Sequence, residues 1–292
     1  MNNKSQFIFV GKVVASGSAT LVFAGLLLLS AGAKAQNIPL SDGGSTASIN
    51  PGAAYGGTGN LGMNNWSVLG QNQLNQQWFW YSINGNTAAS IDTIGGFTPT
   101  PYAPNDVLLT YANSQISVGI EYVLSGNGVG SGSADLQEYI TVLNPSDSGQ
   151  TINLSFYQYS NFNLLGNNNN TVTISGTPGG YTGATQTTSG GGGSGLAEVI
   201  DAPYANYAEA ALAGVTPTEL AGGPYTLNDN TGPVTGDVSW AFQWNATLTP
   251  GEMLDITKDK GLSIIIVPEP STIALVVLGV AGLGLARRRQ SS

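Results

Sequence analysis

Apolar and polar positions alternate with a period of two through much of the chain. The clearest stretch is Val238, Trp240, Phe242, Trp244, Ala246 and Leu248, interleaved with Ser239, Ala241, Gln243, Asn245 and Thr247. Strand geometry sends successive side chains to opposite faces, so this pattern predicts an amphipathic strand. Thr249-Pro250-Gly251-Glu252 then reads as a turn, Met253 to Lys258 as the returning strand, Asp259-Lys260-Gly261 as a second turn and Leu262 to Val267 as a last strand. Ile116, Val118, Ile120, Tyr122 and Leu124 keep the same parity, with Ser117, Gly119 and Glu121 on the other face.

Other segments predict strands less cleanly. Gln77 to Ile83 carries aromatics on both faces and runs into Asn84-Gly85, a favoured hairpin dipeptide, with Ala89 to Ile94 as its partner. Val107 to Tyr111, Leu136 to Leu143, Thr151 to Tyr159 and Thr171 to Ser175 follow, and Asn144-Pro145-Ser146-Asp147 is a turn between two of them. The close spacing of 116–124, 136–143 and 151–159 favours a three-stranded meander. The small, Gly-rich segment 36–62 reads as a lead-in with one short strand, 176–195 as a flexible loop, and 207–212 and 217–221 as short helical turns. About ten short strands with Gly and Pro punctuation predict an all-β, antiparallel β-sandwich over residues 36–266, with a closed barrel as the competing architecture.

Charge narrows the functions open to this body. Of eight basic residues, Lys4, Lys12 and Lys34 lie near the N-terminus and Arg287, Arg288 and Arg289 near the C-terminus, which leaves Lys258 and Lys260. Residues 36–266 set these two lysines against sixteen carboxylates, a formal charge of −14. A body so short of cations has nothing with which to neutralise phosphates, so no nucleic-acid partner is expected. The chain has neither cysteine nor histidine. Disulfides, thiolate and imidazole metal ligands, and every triad with an imidazole base are thereby excluded.

Both ends read as targeting signals. Lys4 and Lys12 precede an apolar core at Leu21 to Leu29, and Ala33-Lys34-Ala35 fits the small-x-small pattern of signal peptidase cleavage, so residues 1–35 predict a signal peptide. Residues 267–292 contain Pro268-Glu269-Pro270, an uncharged run from Ile273 to Ala286, and Arg287-Arg288-Arg289. From Ser271 the run covers about 16 residues, or roughly 24 Å of helix, short of a hydrocarbon core of about 30 Å. It predicts a single C-terminal membrane helix, with the arginines on the cytoplasmic side and the Pro-Glu-Pro motif outside.

This order of parts resembles the PEP-CTERM sorting signal of Gram-negative bacteria, handled by membrane proteases called exosortases. The body is similar to other PEP-CTERM exported proteins in its Trp-rich early strand, its strand end at 159–164 and its finish from Trp240 to Lys260. Asn161 and Asn163 stand where acidic residues are expected in such strand ends, which counts against a metal site there. The resemblance implies processing by exosortase and signal peptidase, transient anchoring in the inner membrane with the body outside the cytoplasm, and a final place at the cell surface or in the extracellular matrix.

The remaining chemistry is limited. Paired carboxylates of the glycosidase kind need two acids on neighbouring elements, and Glu121 and Glu138 sit on neighbouring predicted strands, with Asp135 at a strand entry. Glu121 belongs to a polar face, whereas Glu138 shares parity with Leu136, Ile140 and Val142. Trp78, Trp80 and Trp240 are the candidate glycan contacts, since flat aromatic faces stack on sugar rings; packing the core is the competing role. No catalytic residue, metal or cofactor is assigned. The expectation is a non-enzymatic exported surface or matrix protein associated with exopolysaccharide, against a carbohydrate-active enzyme.

Overall fold

A computed structural model describes residues 37–188 and 194–265. Their first half forms β1 (Ile38–Asp42), β2 (Ser45–Asn50), β3 (Gly62–Val68), β4 (Gln71–Asn72), β5 (Leu74–Ile83), β6 (Ala89–Ser90), β7 (Thr98–Ala103), β8 (Asp106–Ala112) and β9 (Ser117–Gly126). The second half forms β10 (Ser133–Leu143), β11 (Ile152–Phe162), β12 (Asn170–Thr177), β13 (Gly180–Thr188), β14 (Gly195–Ala202) and β15 (Tyr207–Leu212). Helix α1 (Val215–Gly222), β16 (Val234–Gly236), β17 (Val238–Leu248) and β18 (Met253–Ser263) complete it.

The strands build two antiparallel sheets. The first runs β1-β2-β3-β5-β11-β17-β15, with β4 beside β3 and β6 beside β5; the second runs β16-β12-β13-β14-β18-β10-β9-β8-β7. Their facing sides enclose one large apolar core, including Trp66, Trp78, Phe156, Phe162 and Trp240 from the first sheet and Tyr122, Ile140, Leu196 and Ile256 from the second. A two-sheet antiparallel sandwich is the predicted fold class. Burial along β9 follows the predicted parity, with Val118, Ile120, Tyr122 and Leu124 inside.

Several local expectations are corrected. β9 and β10 pair as a hairpin, but the next strand, β11, lies in the opposite sheet between β5 and β17, so residues 144–150 cross the sandwich rather than extend a meander. β18 passes straight through Asp259-Lys260-Gly261 with no turn, because Lys258 and Lys260 both face inward and find carboxylates there. The lead-in holds β1 and β2, 207–212 is strand β15, and the Gly-rich stretch after 176 contains β13. β13 needs its glycine: a Cβ on Gly183 would lie 2.0 Å from the carbonyl oxygen of Glu198 on β14. Only 217–221 is helical as expected, within α1.

Burial also departs from simple alternation at β17, whose residues from Val238 to Trp244 are all buried. One face meets the second sheet. The other is roofed by α1 and the segment after it, where Leu220 and Leu227 pack with Tyr157 and Ala241. Gln243 Oε1 accepts a 3.0 Å hydrogen bond from the Leu227 amide there. Ser239 and Gln243 of β17 thus face protein rather than water, while Asn245 and Thr247 stay exposed.

Candidate functional site

Four charged side chains meet inside the sandwich. Lys258 and Lys260 alternate along β18, the strand between β10 and β14 in the second sheet. Register sets Lys258 directly opposite Glu138 on β10 and Lys260 opposite Glu198 on β14. Lys258 Nζ contacts Glu138 Oε2 and lies 3.2 Å from Glu198 Oε1, while Lys260 Nζ lies 3.4 Å from Glu138 Oε2 and 3.1 Å from Glu198 Oε1. All four side chains are completely shielded from solvent.

The first sheet closes this cluster with polar groups of its own. Gln77 of β5 donates through Nε2 to Glu138 Oε1. Trp240 Nε1 of β17 donates to Glu198 Oε2 at 2.6 Å, and Gln158 Nε2 of β11 reaches the same oxygen at 3.3 Å and Ser160 Oγ at 2.8 Å. Phe79 places its ring centroid 5.7 Å from Lys258 Nζ. Burial, reinforced by the charge of Lys260, holds the Lys258 amine well below the usual lysine range. Although ion-pair contacts surround them, neither Lys258 Nζ nor Glu198 Oε1 makes a hydrogen bond of good geometry.

This cluster contains every basic residue among the described residues, which include no arginine. Its two lysines balance its two glutamates, so the remaining fourteen carboxylates carry the body's formal −14. Isolated buried ions are very costly, and only close pairing makes such an interior tenable. Glu138 is where its parity placed it. Lys258, Lys260 and Glu198 were missed, though the inward parity of Ile256 and Leu262 on β18 was a usable signal for the lysines.

A second buried carboxylate lies on the outer side of the first sheet. Glu209 of β15 accepts from Thr216 Oγ1 at 2.9 Å and Tyr225 OH at 2.8 Å. Burial and the neighbouring Glu209 and Glu219 carboxylates push the Tyr225 phenol up. Burial pushes the Glu209 carboxyl above its usual range, partly offset by the hydroxyl donors. Among the described residues no group of three or more acids is placed to hold a metal ion.

The other candidates are dispersed. Glu121 lies on the outer face of β9, and its carboxyl is raised by burial and by the neighbouring Asp106. Asp135 accepts from Asn127 Nδ2 at 3.2 Å near the strand entry. Trp78 and Trp240 are fully buried, Trp78 donating to Ser90 Oγ at 2.6 Å and Trp240 stacking on Phe162 with ring centroids 5.6 Å apart. Both therefore take the core role rather than a surface platform. Trp80 is partly exposed, edge-on to Tyr159 at 6.1 Å. An open pocket of about 400 Å³ is lined by Asn84, Asn86, Gln115, Asp147 and Gln150, with Asp147 its one carboxylate.

Ala33 and Ala35, Pro268, Glu269 and Pro270, and Arg287, Arg288 and Arg289 lie outside the described residues, as do the expected signal peptide and the C-terminal apolar run. Among the described residues no helix is long and apolar enough to cross a membrane.

Comparisons with known proteins concern the body and the tail separately. The body is similar in fold to a putative aldose 1-epimerase from Escherichia coli K12, with a TM-score of 0.51 and 9% identity over 79% of this chain and 99% of that one. It is also similar to a bacterial glucoamylase solved with acarbose, with a TM-score of 0.52 and 8% identity over 81% of this chain but only 32% of the glucoamylase. At these identities the likeness is one of fold. No curated protein sequence matches the chain. Residues 267–290 match the PEP-CTERM protein-sorting motif. The chain therefore carries, after its two-sheet body, the PEP-CTERM motif that marks an exported, cell-surface-directed substrate of exosortase processing.

Proposed function

We propose that this protein is a non-enzymatic structural or adhesive component of the cell surface or extracellular matrix, associated with exopolysaccharide. Signal peptidase removes residues 1–35, the C-terminal apolar run holds the body transiently at the outer side of the inner membrane, and exosortase processes the chain near Pro268-Glu269-Pro270. The observation that carries the non-enzymatic reading is the state of the carboxylates. Glu138 and Glu198 are neutralised by lysines and sealed from solvent, Glu209 is buried under donors from Thr216 and Tyr225, and the pocket beside Asn84 and Gln115 has Asp147 as its one carboxylate. Glycoside hydrolysis needs two free carboxyl groups about 5 to 10 Å apart with a sugar between them.

The rival reading, a carbohydrate-active enzyme, draws on the fold shared with the epimerase and the glucoamylase. Incubating the exported protein with a panel of oligosaccharides and polysaccharides separates the two. Retention on polysaccharide without turnover or anomer interconversion is expected, and Trp80→Ala is expected to weaken it while Trp78 and Trp240 act only through stability. Catalytic turnover by the purified protein would sink the non-enzymatic reading. For the sorting step, deletion of Ile273 to Arg289 is expected to leave the body unprocessed in the periplasm; normal processing and display of the deletion variant would contradict it.

A further inference from the structure

We infer that Lys258 and Glu138 condense into an intramolecular isopeptide bond, an amide joining Lys258 Nζ to Glu138 Cδ across strands β18 and β10. The two residues are direct cross-strand partners, both fully buried, with the amine in contact with Glu138 Oε2. Fixing a nucleophile against its electrophile in this way replaces a bimolecular encounter and is worth effective molarities of about 10⁵ M or more when well aligned.

Each chemical requirement of amide formation has a residue beside it. The nucleophile must be a free amine, and burial together with Lys260 disfavours the ammonium form of Lys258. Its Nζ makes no well-formed hydrogen bond that would hold the lone pair away. The carbonyl must be polarised as the tetrahedral intermediate forms. Gln77 Nε2 donates to Glu138 Oε1, and Lys260 Nζ lies 3.4 Å from Oε2. A proton must move from nitrogen to the departing oxygen. Glu198 Oε1, 3.2 Å from Lys258 Nζ and otherwise without a hydrogen bond, is placed to carry it.

The step balances without any co-reactant. The Lys258 ammonium first passes one proton to Glu138 Oε2, giving the free amine and the carboxylic acid. Lys258 Nζ then attacks Glu138 Cδ, the Nζ–Cδ bond forms, and the Cδ–Oε2 bond breaks. After attack Glu198 takes a second proton from nitrogen and returns it to the leaving hydroxyl, so one water departs and Glu198 is regenerated. An ammonium and a carboxylate thus become a neutral amide. The buried cluster falls from four charges to two, the Lys260–Glu198 pair at 3.1 Å. Removing an ion pair from a dry interior relieves the desolvation penalty of both ions, a driving force that bulk water does not supply. The resulting amide staples two neighbouring strands within the second sheet of an exported chain that has no cysteine for disulfides.

Peptide mapping of the denatured exported protein by mass spectrometry tests this directly. Peptides containing Glu138 and Lys258 are expected to appear joined, at the sum of their masses less one water, in the wild-type protein. Unlinked peptides at their full masses, or a link that uses Lys260 or Glu198 instead, would overturn the assignment. Because this measurement is made on the wild-type chain, it does not depend on a variant folding. Glu198→Gln, checked for β-structure by circular dichroism, is expected to leave the peptides separate; undiminished linkage in the folded variant would remove Glu198 from the mechanism.

Discussion

Glu138 and Glu209 meet the same physical problem on opposite sides of the first sheet, and the chain answers it in two ways. Both carboxyls are fully buried. Glu138 lies between the sheets with lysines at hand, which match its charge until the amide to Lys258 forms. Glu209 lies under the roof made by α1 and has no cation near it; hydroxyl and amide donors surround it and burial raises its pKa. The sandwich body has only two cations for its buried carboxylates. Both go to the centre of the sandwich, and every other carboxylate relies on solvent or on neutral donors.

Removing one cation should produce the largest effect. Lys260→Met leaves Glu198 with an unmatched share of buried charge and is expected to cost about 3–5 kcal/mol in chemical denaturation. A loss below about 1 kcal/mol would mean the cluster is not charged in the way described. Trp240→Phe removes the 2.6 Å donor to Glu198 while keeping an aromatic ring against Phe162, and a loss of about 2 kcal/mol is expected.

Glu209 should respond to pH rather than to salt-bridge loss. Its folded pKa is raised above the ordinary 4.5, so the native state holds a proton that the unfolded chain releases. Stability contributed by that proton is present below the ordinary value and declines as pH rises through the folded pKa. Glu209→Gln is expected to flatten this part of the stability profile, measured as the denaturation midpoint between pH 4 and neutrality, roughly the range in which raised carboxyls titrate. A profile unchanged by the substitution would place the pH dependence elsewhere.

Much of this arrangement was legible in the sequence, and the illegible parts share a cause. β9 and β17 follow from period-two alternation, and Glu138 declared itself by standing among Leu136, Ile140 and Val142. Asp259-Lys260-Gly261 resembles a turn by composition, yet the lysines continue the inward parity of Ile256 and Leu262 because carboxylates on both flanking strands receive them. Glu198 was hidden in a segment whose small residues and Pro203 suggest irregular backbone. β13 was hidden by glycines that a strand tolerates only where another backbone approaches closely, as Glu198 does at Gly183. The roof over β17 leaves no periodic signal at all, since coverage of a polar face is a tertiary fact.

A double-mutant cycle on Lys260 and Glu198 tests most directly whether the interior charges exist as mutually neutralising partners. Lys260→Met, Glu198→Leu and the double variant are compared with the wild-type protein by denaturant unfolding. The prediction is that each single variant is strongly destabilised and the double variant recovers a large part of the loss, with a coupling of about 2 kcal/mol or more. Single-variant losses that simply add in the double variant would contradict it.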